Sequence, residues 1–381
     1  MNATLKPNVL RWARERASLS QIDLAEKVGV NLDAVRKWET TGSIPFPAVE
    51  KLADKTYTPF GFLFLEEPPV EKLPISDFRR THQTDASIPP SPDLLEVIQS
   101  AQLRQDWYRD HLISIGEKPL PFVGKASLNT PTKETAADIR LTLRIGSALA
   151  AIRESREDAL RDTIEAIEDA GILVMRTGYA GDYTHRKLSV AEFRGFALAD
   201  DYAPLVFING ADAPNAQMFT LAHEVAHVWI RQSGISNLHK TYSMGNDVEL
   251  YCNKVAAEVL LPLDELRISW RNDYGVNEET ERLSRQFKVS RLVVARRAFD
   301  AGLLTKGKFD SIFKLEIARG KTASGGNWYV NGQYRNSKRF SVALIIAARE
   351  GRTLYHDAMQ LLGIKKDATF RNYAQRLQVE W

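Results

Sequence analysis

Apolar residues recur at helical spacing along most of this chain, and only its middle changes to the short, continuous apolar runs of buried strands. Residues 7–60 read as a compact helical unit. Within it Ser20 caps a helix whose apolar residues are Ile22, Leu24, Ala25 and Val28. Gly29 makes a turn, and Asn31 caps a second helix with Val35 and Trp38 directed inward. The proline-rich, acidic stretch EEPPVEKLPIS (66–76) reads as a linker, and a polar stretch over 81–93 follows Phe78-Arg79-Arg80. Helical periodicity resumes at about Asp93 and suits 133–150 and 155–170, the latter closed by Gly171. GILVMRTG, FRGFALAD and APLVFING read as strands. From Ala216 the helical pattern returns in MFTLAHEVAHVWI, VELYCNKVAAEVLLP and DELRISWRND, Pro262 ending the second. The last region, 321–381, opens on GGNWYVNGQYRNSKRF, a hairpin candidate, and closes with helices; no internal repeat stands out. The fold class expected is α+β, predominantly helical.

Two short helices joined by a glycine-containing turn, over 20–39, have the pattern of a helix-turn-helix. In that geometry the second helix enters the major groove, which would bring Asn31, Asp33, Arg36 and Lys37 near DNA, with Gln21 at the start of the first helix within reach of a base or phosphate. Residues 7–55 resemble the Cro/C1-type (Xre) repressor domain. That resemblance implies binding to operator DNA, commonly as a homodimer, although Asp23, Glu26, Asp33 and Glu39 offset much of the local basic charge. A helical docking or dimerisation module is the other reading of the same residues.

The sharpest chemical signal is His223-Glu224-Val225-Ala226-His227. Histidines four apart share one helix face, so both imidazoles can hold one ion, and Glu224 beside the first can take a proton from the attacking water. The helix around them is apolar nearly all round and therefore buried, and three ionisable groups in such a helix need partners. A third ligand is expected from VELYCNKVAAEVLLP, where Glu249 interrupts an apolar face; Glu258 is the alternative. FTLAHEVAHVWI (219–230) and ELYCNKVAAEVLLP (249–262) resemble the ImmA/IrrE family of zinc-dependent peptidases, and DFRR (77–80), APLVFIN and FKVSRLVVARRAF (287–299) extend the likeness. The resemblance implies Zn²⁺ on His223, His227 and Glu249, with Glu224 as general base or acid.

Four further residues are candidates for stabilising an oxyanion: His185, His239, Tyr242 and Tyr251. Cys252, one helical turn from Glu249, reads as a small buried residue, the alternatives being an extra ligand or a redox-sensitive thiol. FKVSRLVVARRAFDAGLL looks like half of a second helix-turn-helix, with Ser290 as cap and Arg291, Arg296 and Arg297 on the following helix; contact with DNA or a protein is one reading, a solvated basic face the commoner one. The mixture of Trp328, Tyr329, Tyr334, Arg335, Lys338 and Arg339 suits either a nucleic-acid surface or an ordinary hairpin.

Composition narrows the setting. With 44% hydrophobic and 26% charged residues the chain has the make-up of a soluble protein, and a net charge of +3 neither requires nor excludes nucleic acid. A single cysteine excludes an internal disulfide, so a zinc site must use histidine and carboxylate. Without a signal-peptide pattern or an apolar run long enough for a membrane span, a cytoplasmic location is expected. The expected layout is a helix-turn-helix domain over 1–65, a linker over 66–92, a zincin-like peptidase domain over 93–275 and a helical C-terminal region over 276–381. Two functions fit: a DNA-binding regulator whose zinc peptidase cleaves a repressor-type protein, or an antitoxin-like repressor whose zincin-like body binds a toxin or other partner with little hydrolysis.

Overall fold

The structure, a computed structural model, describes residues 2–71, 73–77, 90–145, 155–181, 186–236, 247–318 and 335–379. The chain divides into two units, Met1–Pro74 with Gln83–Ile98 and Ile75–His82 with Gln99–Trp381.

In the first unit, strand β1 (Asn2–Thr4) is followed by helix α1 (Pro7–Arg16), α2 (Gln21–Val28) and α3 (Leu32–Thr41). The starts and stops follow from local chemistry. Ser20 and Asp23 form a reciprocal capping box at the start of α2, and left-handed Gly29 ends it. The Asn31 side chain accepts from the Ala34 backbone N–H and so caps α3. Strand β2 (Ser43–Pro45) returns antiparallel to β1, and α4 (Phe46–Thr56) and a short 3-10 turn (Phe60–Phe64) close the unit. Gly42 joins α3 to β2 with φ +71°, and a Cβ there would lie 2.0 Å from the Leu5 carbonyl oxygen, so only glycine fits. Val35 and Trp38 are buried as expected, in a core with Leu10, Leu24, Ile44 and Leu52. Ile22 is 57% exposed, because the inward face of α2 runs through Leu24, Ala25 and Val28 and Ile22 falls off it.

The second unit has a mixed five-stranded sheet in the order β3-β7-β5-β6-β4. Strand β3 is Ser76–Asp77, so the stretch expected to be a linker contributes an edge strand, parallel to β7. Two residues are too few to leave a periodic signature. Helices α5 (Pro92–Ser114, of which the residues from Gln99 on belong to this unit), α6 (Thr132–Thr142) and α7 (Arg156–Asp169) lead to β4 (Leu173–Thr177), β5 (Gly195–Leu198) and β6 (Leu205–Asn209), the three runs read as strands. Next come α8 (Pro214–Trp229), β7 (Gly234–Ser236) and α9 (Asp247–Leu260). β5 and β6 are buried along their whole length and pair antiparallel, with Phe196 stacked on Phe207 at 4.8 Å between ring centroids. α8 and α9 pack on each other over a core that includes Val206, Ile208, Leu221, Val225, Trp229 and Val255.

Beyond them lie α10 (Leu263–Ser269), α11 (Val276–Phe287), α12 (Arg291–Asp300), α13 (Lys306–Ala318), α14 (Lys338–Arg349), α15 (Tyr355–Leu362) and α16 (Asp367–Arg376). The solvated basic face expected on α12 is not present. Arg291 and Arg297 are buried and donate to Thr280, Asn277 and Glu258, and Arg296 pairs with Asp300 at 3.0 Å. Trp328, Tyr329 and Tyr334, with the hairpin expected there, lie outside the described residues. Arg339 donates to the Tyr108 hydroxyl at 2.8 Å, an internal contact. The molecule is mostly helical with a mixed sheet, in keeping with the α+β expectation.

Candidate metal centre

α8 starts at Pro214 and is apolar on nearly every side, so from Thr220 to Trp229 it is buried and carries its few polar residues into the core. His223, Glu224 and His227 are each fully buried, as is Glu249 in the first turn of α9. His223 Nε2 lies 3.3 Å from Glu249 Oε2, His227 Nε2 lies 3.0 Å from Glu249 Oε1, and the two Nε2 atoms are 3.1 Å apart. One ligand atom from each of the three residues falls within 4.8 Å of the others.

Several buried ionisable groups in one place demand compensation. An unpaired buried ion costs several kcal/mol, while a fully buried Val, Leu or Phe returns only about 1.5–3 kcal/mol. Part of the compensation is internal. Burial drives Glu249 upward, but the two imidazoles prevail and hold its carboxyl at about 2. Burial lowers both histidines; at His223 the Glu249 and Glu224 carboxylates outweigh it and the net direction is up, whereas at His227 burial and the neighbouring His223 carry it down. The remainder points to a cation. His223 Nδ1 lies 3.0 Å from Asn253 Oδ1, an acceptor, so the ring proton belongs on Nδ1 and a lone pair on Nε2 faces the cluster. Three lone-pair donors directed at one point, two imidazole and one carboxylate, are a zinc donor set.

Glu224 sits beside this cluster in a different environment. Its Oε1 accepts from the Ser236 hydroxyl, and its Oε2 has no hydrogen-bond partner among the described residues. Burial raises its carboxyl to about 8, with the His223 charge and the Ser236 hydroxyl pulling the other way. Gly195 and Ser236 are direct partners across β5 and β7, and both border this carboxylate. A Cβ on Gly195 would stand 2.9 Å from Glu224 Oε1 and 2.6 Å from Thr220 Cγ2, so glycine leaves room for the acid.

Ser236 and Gly195 are the site residues that sequence reasoning did not single out, and Asn253 was noted only for its place beside Glu249, without a role. Asn253 carried a usable signal, one turn after Glu249 on the same side of α9. Glu258, the alternative third ligand, lies elsewhere, bonded to Arg297. Tyr251 also points away: its hydroxyl bonds to Thr135 Oγ1 at 2.7 Å and to the Thr130 carbonyl at 3.0 Å, not toward the cluster. His185, His239 and Tyr242 lie outside the described residues. Cys252 is buried in the apolar core, where burial pushes its thiol well up.

In the first unit, Gln21 Nε2 donates to Glu39 Oε2 at 2.7 Å, and Arg14 Nε donates to Glu39 Oε1 at 2.6 Å. Gln21 and the capping Asn31 are thus engaged within the unit. Arg36 and Lys37 are exposed on α3, Arg36 lying 3.4 Å from the exposed Asp33.

Comparison with known families meets this geometry in the middle of the chain. Residues 167–299 match the IrrE N-terminal-like domain (Peptidase_M78). The match includes His223, Glu224, His227 and Glu249 and covers about a third of the chain; it supports the ImmA/IrrE likeness for this part and does not reach the N-terminal unit. Residues 336–376 match a domain of unknown function (DUF8813). A search of the curated proteins found no match. No helix among the described residues is long and apolar enough to cross a membrane.

Proposed function

We propose that this protein is a zinc-dependent peptidase joined to a DNA-binding head, a regulator that cleaves a specific, repressor-type protein. The observation that carries the reading is the convergence of His223, His227 and Glu249 on one buried point, with Asn253 fixing the tautomer of the first. Those three residues would hold zinc, which supplies a Lewis acid and brings the pKa of water toward neutrality. Glu224 is the proton carrier. It adjoins the ligands yet faces Ser236 and Gly195, so its carboxylate is placed to take a proton from the attacking water and return it to a leaving amine. Ser236 holds one carboxylate oxygen and leaves the other, Oε2, to meet the water.

The head contributes targeting. Two helices of eight and ten residues flank a glycine turn, and the second presents Arg36 and Lys37 to solvent, the two cations best placed for DNA phosphates or bases. Asn31 and Gln21, engaged internally, serve the fold of the head.

A comparison of protein N-termini in cells producing the wild type or Glu224→Gln tests the peptidase reading. One or a few new N-termini, within a DNA-binding protein and dependent on Glu224, are expected. Identical sets in the two strains under every inducing condition would contradict it.

A further inference from the structure

The C-terminal helices hold a second arrangement suited to DNA, distinct from the metal centre and from the head. α15 and α16 have eight and ten residues, the same lengths as α2 and α3. As Gly29 ends α2, Gly363 ends α15 in the left-handed conformation, with φ +68°. The closing bonds correspond as well: the N–H after the glycine reaches back five residues, Val30 to Ala25 and Ile364 to Met359. α14 is the third helix. Phe340, Leu344, Ala358, Leu362, Phe370 and Ala374 are buried, the Tyr355 and Phe370 rings meet edge to face at 4.9 Å, and the Tyr373 hydroxyl donates to Ser341 Oγ at 3.0 Å. α16 is thereby held by its Phe370–Ala374 face, and its opposite face is turned outward.

That outward face has a definite chemistry. Arg371, Asn372, Gln375 and Arg376 are exposed at the spacing of one helix face, and exposed Lys365 and Lys366 precede the helix. Between Gly363 and Arg376 there are four cations and one carboxylate, Asp367, which already accepts from Arg371 Nε at 2.9 Å and from the Tyr355 hydroxyl at 2.6 Å. Arginine, asparagine and glutamine are the side chains that pair bidentately with guanine and adenine edges, and lysines before the helix suit phosphates. The exposed face of α16 has no aromatic ring of the kind single-stranded nucleic acid stacks on. α12 shows the contrast: it too follows a helix and a tight turn, but its Arg291 and Arg297 are buried in internal bonds.

We infer that α15, the turn at Gly363 and α16 form a second helix-turn-helix, whose outer face, Lys365, Lys366, Arg371, Asn372, Gln375 and Arg376, binds double-stranded DNA in the major groove. The inference does not depend on zinc or on peptidase activity. It gives one chain two DNA-reading faces, so that a single molecule can contact two sites.

The test uses the full chain with the head disabled by Arg36→Ala and Lys37→Ala, and as probe a fluorescein-labelled mixed-sequence duplex of about 30 base pairs, three helical turns. Anisotropy titrations at low and moderate salt should show that the head-disabled chain still binds. Adding Arg371→Ala and Arg376→Ala should weaken binding at least tenfold and lower the salt slope by about 2. Arg371→Lys with Arg376→Lys should restore most of the salt-dependent binding, which separates lost charge from lost folding. Lys308→Ala with Lys314→Ala, two exposed lysines on α13, should change neither quantity. No binding by the head-disabled chain at low salt, or equal binding with and without the arginines of α16, would overturn the inference. Tighter binding to a single-stranded RNA of the same length, lost with the same arginines, would assign the face to RNA instead.

Discussion

His223 is held from two sides, its Nδ1 against Asn253 and its Nε2 in the ligand cluster, and the second depends on the first. Removing the acceptor lets the ring take the other tautomer or rotate. Asn253→Ala is therefore expected to lower zinc affinity about 10- to 100-fold, the usual range for the outer partner of a histidine ligand, while Asn253→Asp, which retains an acceptor, recovers most of it. Competition with a chromophoric chelator measures this; unchanged affinity in Asn253→Ala would remove Asn253 from the account. The contrast between ligand and partner also explains how much of the site was legible. His223, Glu224, His227 and Glu249 announce themselves because ionisable residues interrupt apolar helix faces. Ser236 and Gly195 do not, because a serine in a three-residue strand and a glycine in a strand of four are ordinary until the β5–β7 pairing sets them beside Glu224.

At the scale of elements, β4, β5, β6, α8 and α9 lie where their sequence patterns placed them, whereas the helix expected over 133–150 stops at Thr142, just before Arg144 turns left-handed with φ +53°, and a further error concerns which face turns inward. α12 reads as a basic surface, yet Arg297 donates to the Leu261 carbonyl at 2.9 Å and to Glu258, locking α12 against the end of α9. Its side chain and that of Glu258 are nearly buried, at 6% and 10% exposure. Leaving one buried charge without its partner costs about 3–5 kcal/mol, so Arg297→Ala is expected to destabilise the chain by that amount in chemical denaturation, with zinc stoichiometry unchanged. Arg297→Met with Glu258→Leu should recover much of the loss. A loss below about 1 kcal/mol for the single variant would place the pair in solvent-like surroundings. Sequence periodicity misses this because arginine scores as polar wherever its partner lies, and Glu258 is 39 residues away.

At the scale of the molecule, the segment matching the domain of unknown function is fastened to the peptidase-like part through the end of α7. Glu168 is 7% exposed, and Arg339 at the start of α14 donates to its backbone carbonyl at 3.3 Å. Burial raises the Glu168 carboxyl to about 7, partly offset by the Ser337 hydroxyl and by backbone N–H groups that include those of Lys338 and Arg339. Its ordinary value of 4.5 applies to the unfolded chain. Between those values the folded chain keeps a proton that the unfolded chain has released. The contribution is therefore fully present below the unfolded value and is lost as pH rises through the folded one, a change of about 3 kcal/mol in all. Glu168→Gln should flatten the decline in stability between pH 5 and 8 that denaturation midpoints record for the wild type. Parallel curves for the two proteins would exclude Glu168 as its source.

The central claim is that His223, His227 and Glu249 hold zinc, and metal analysis tests it most directly. Plasma mass spectrometry on purified wild type, His223→Ala and Glu249→Ala should find about one zinc per chain in the first and almost none in the other two, with Glu258→Ala behaving as wild type. Wild-type protein that takes up no zinc after reconstitution, or variants that retain it in full, would contradict the account.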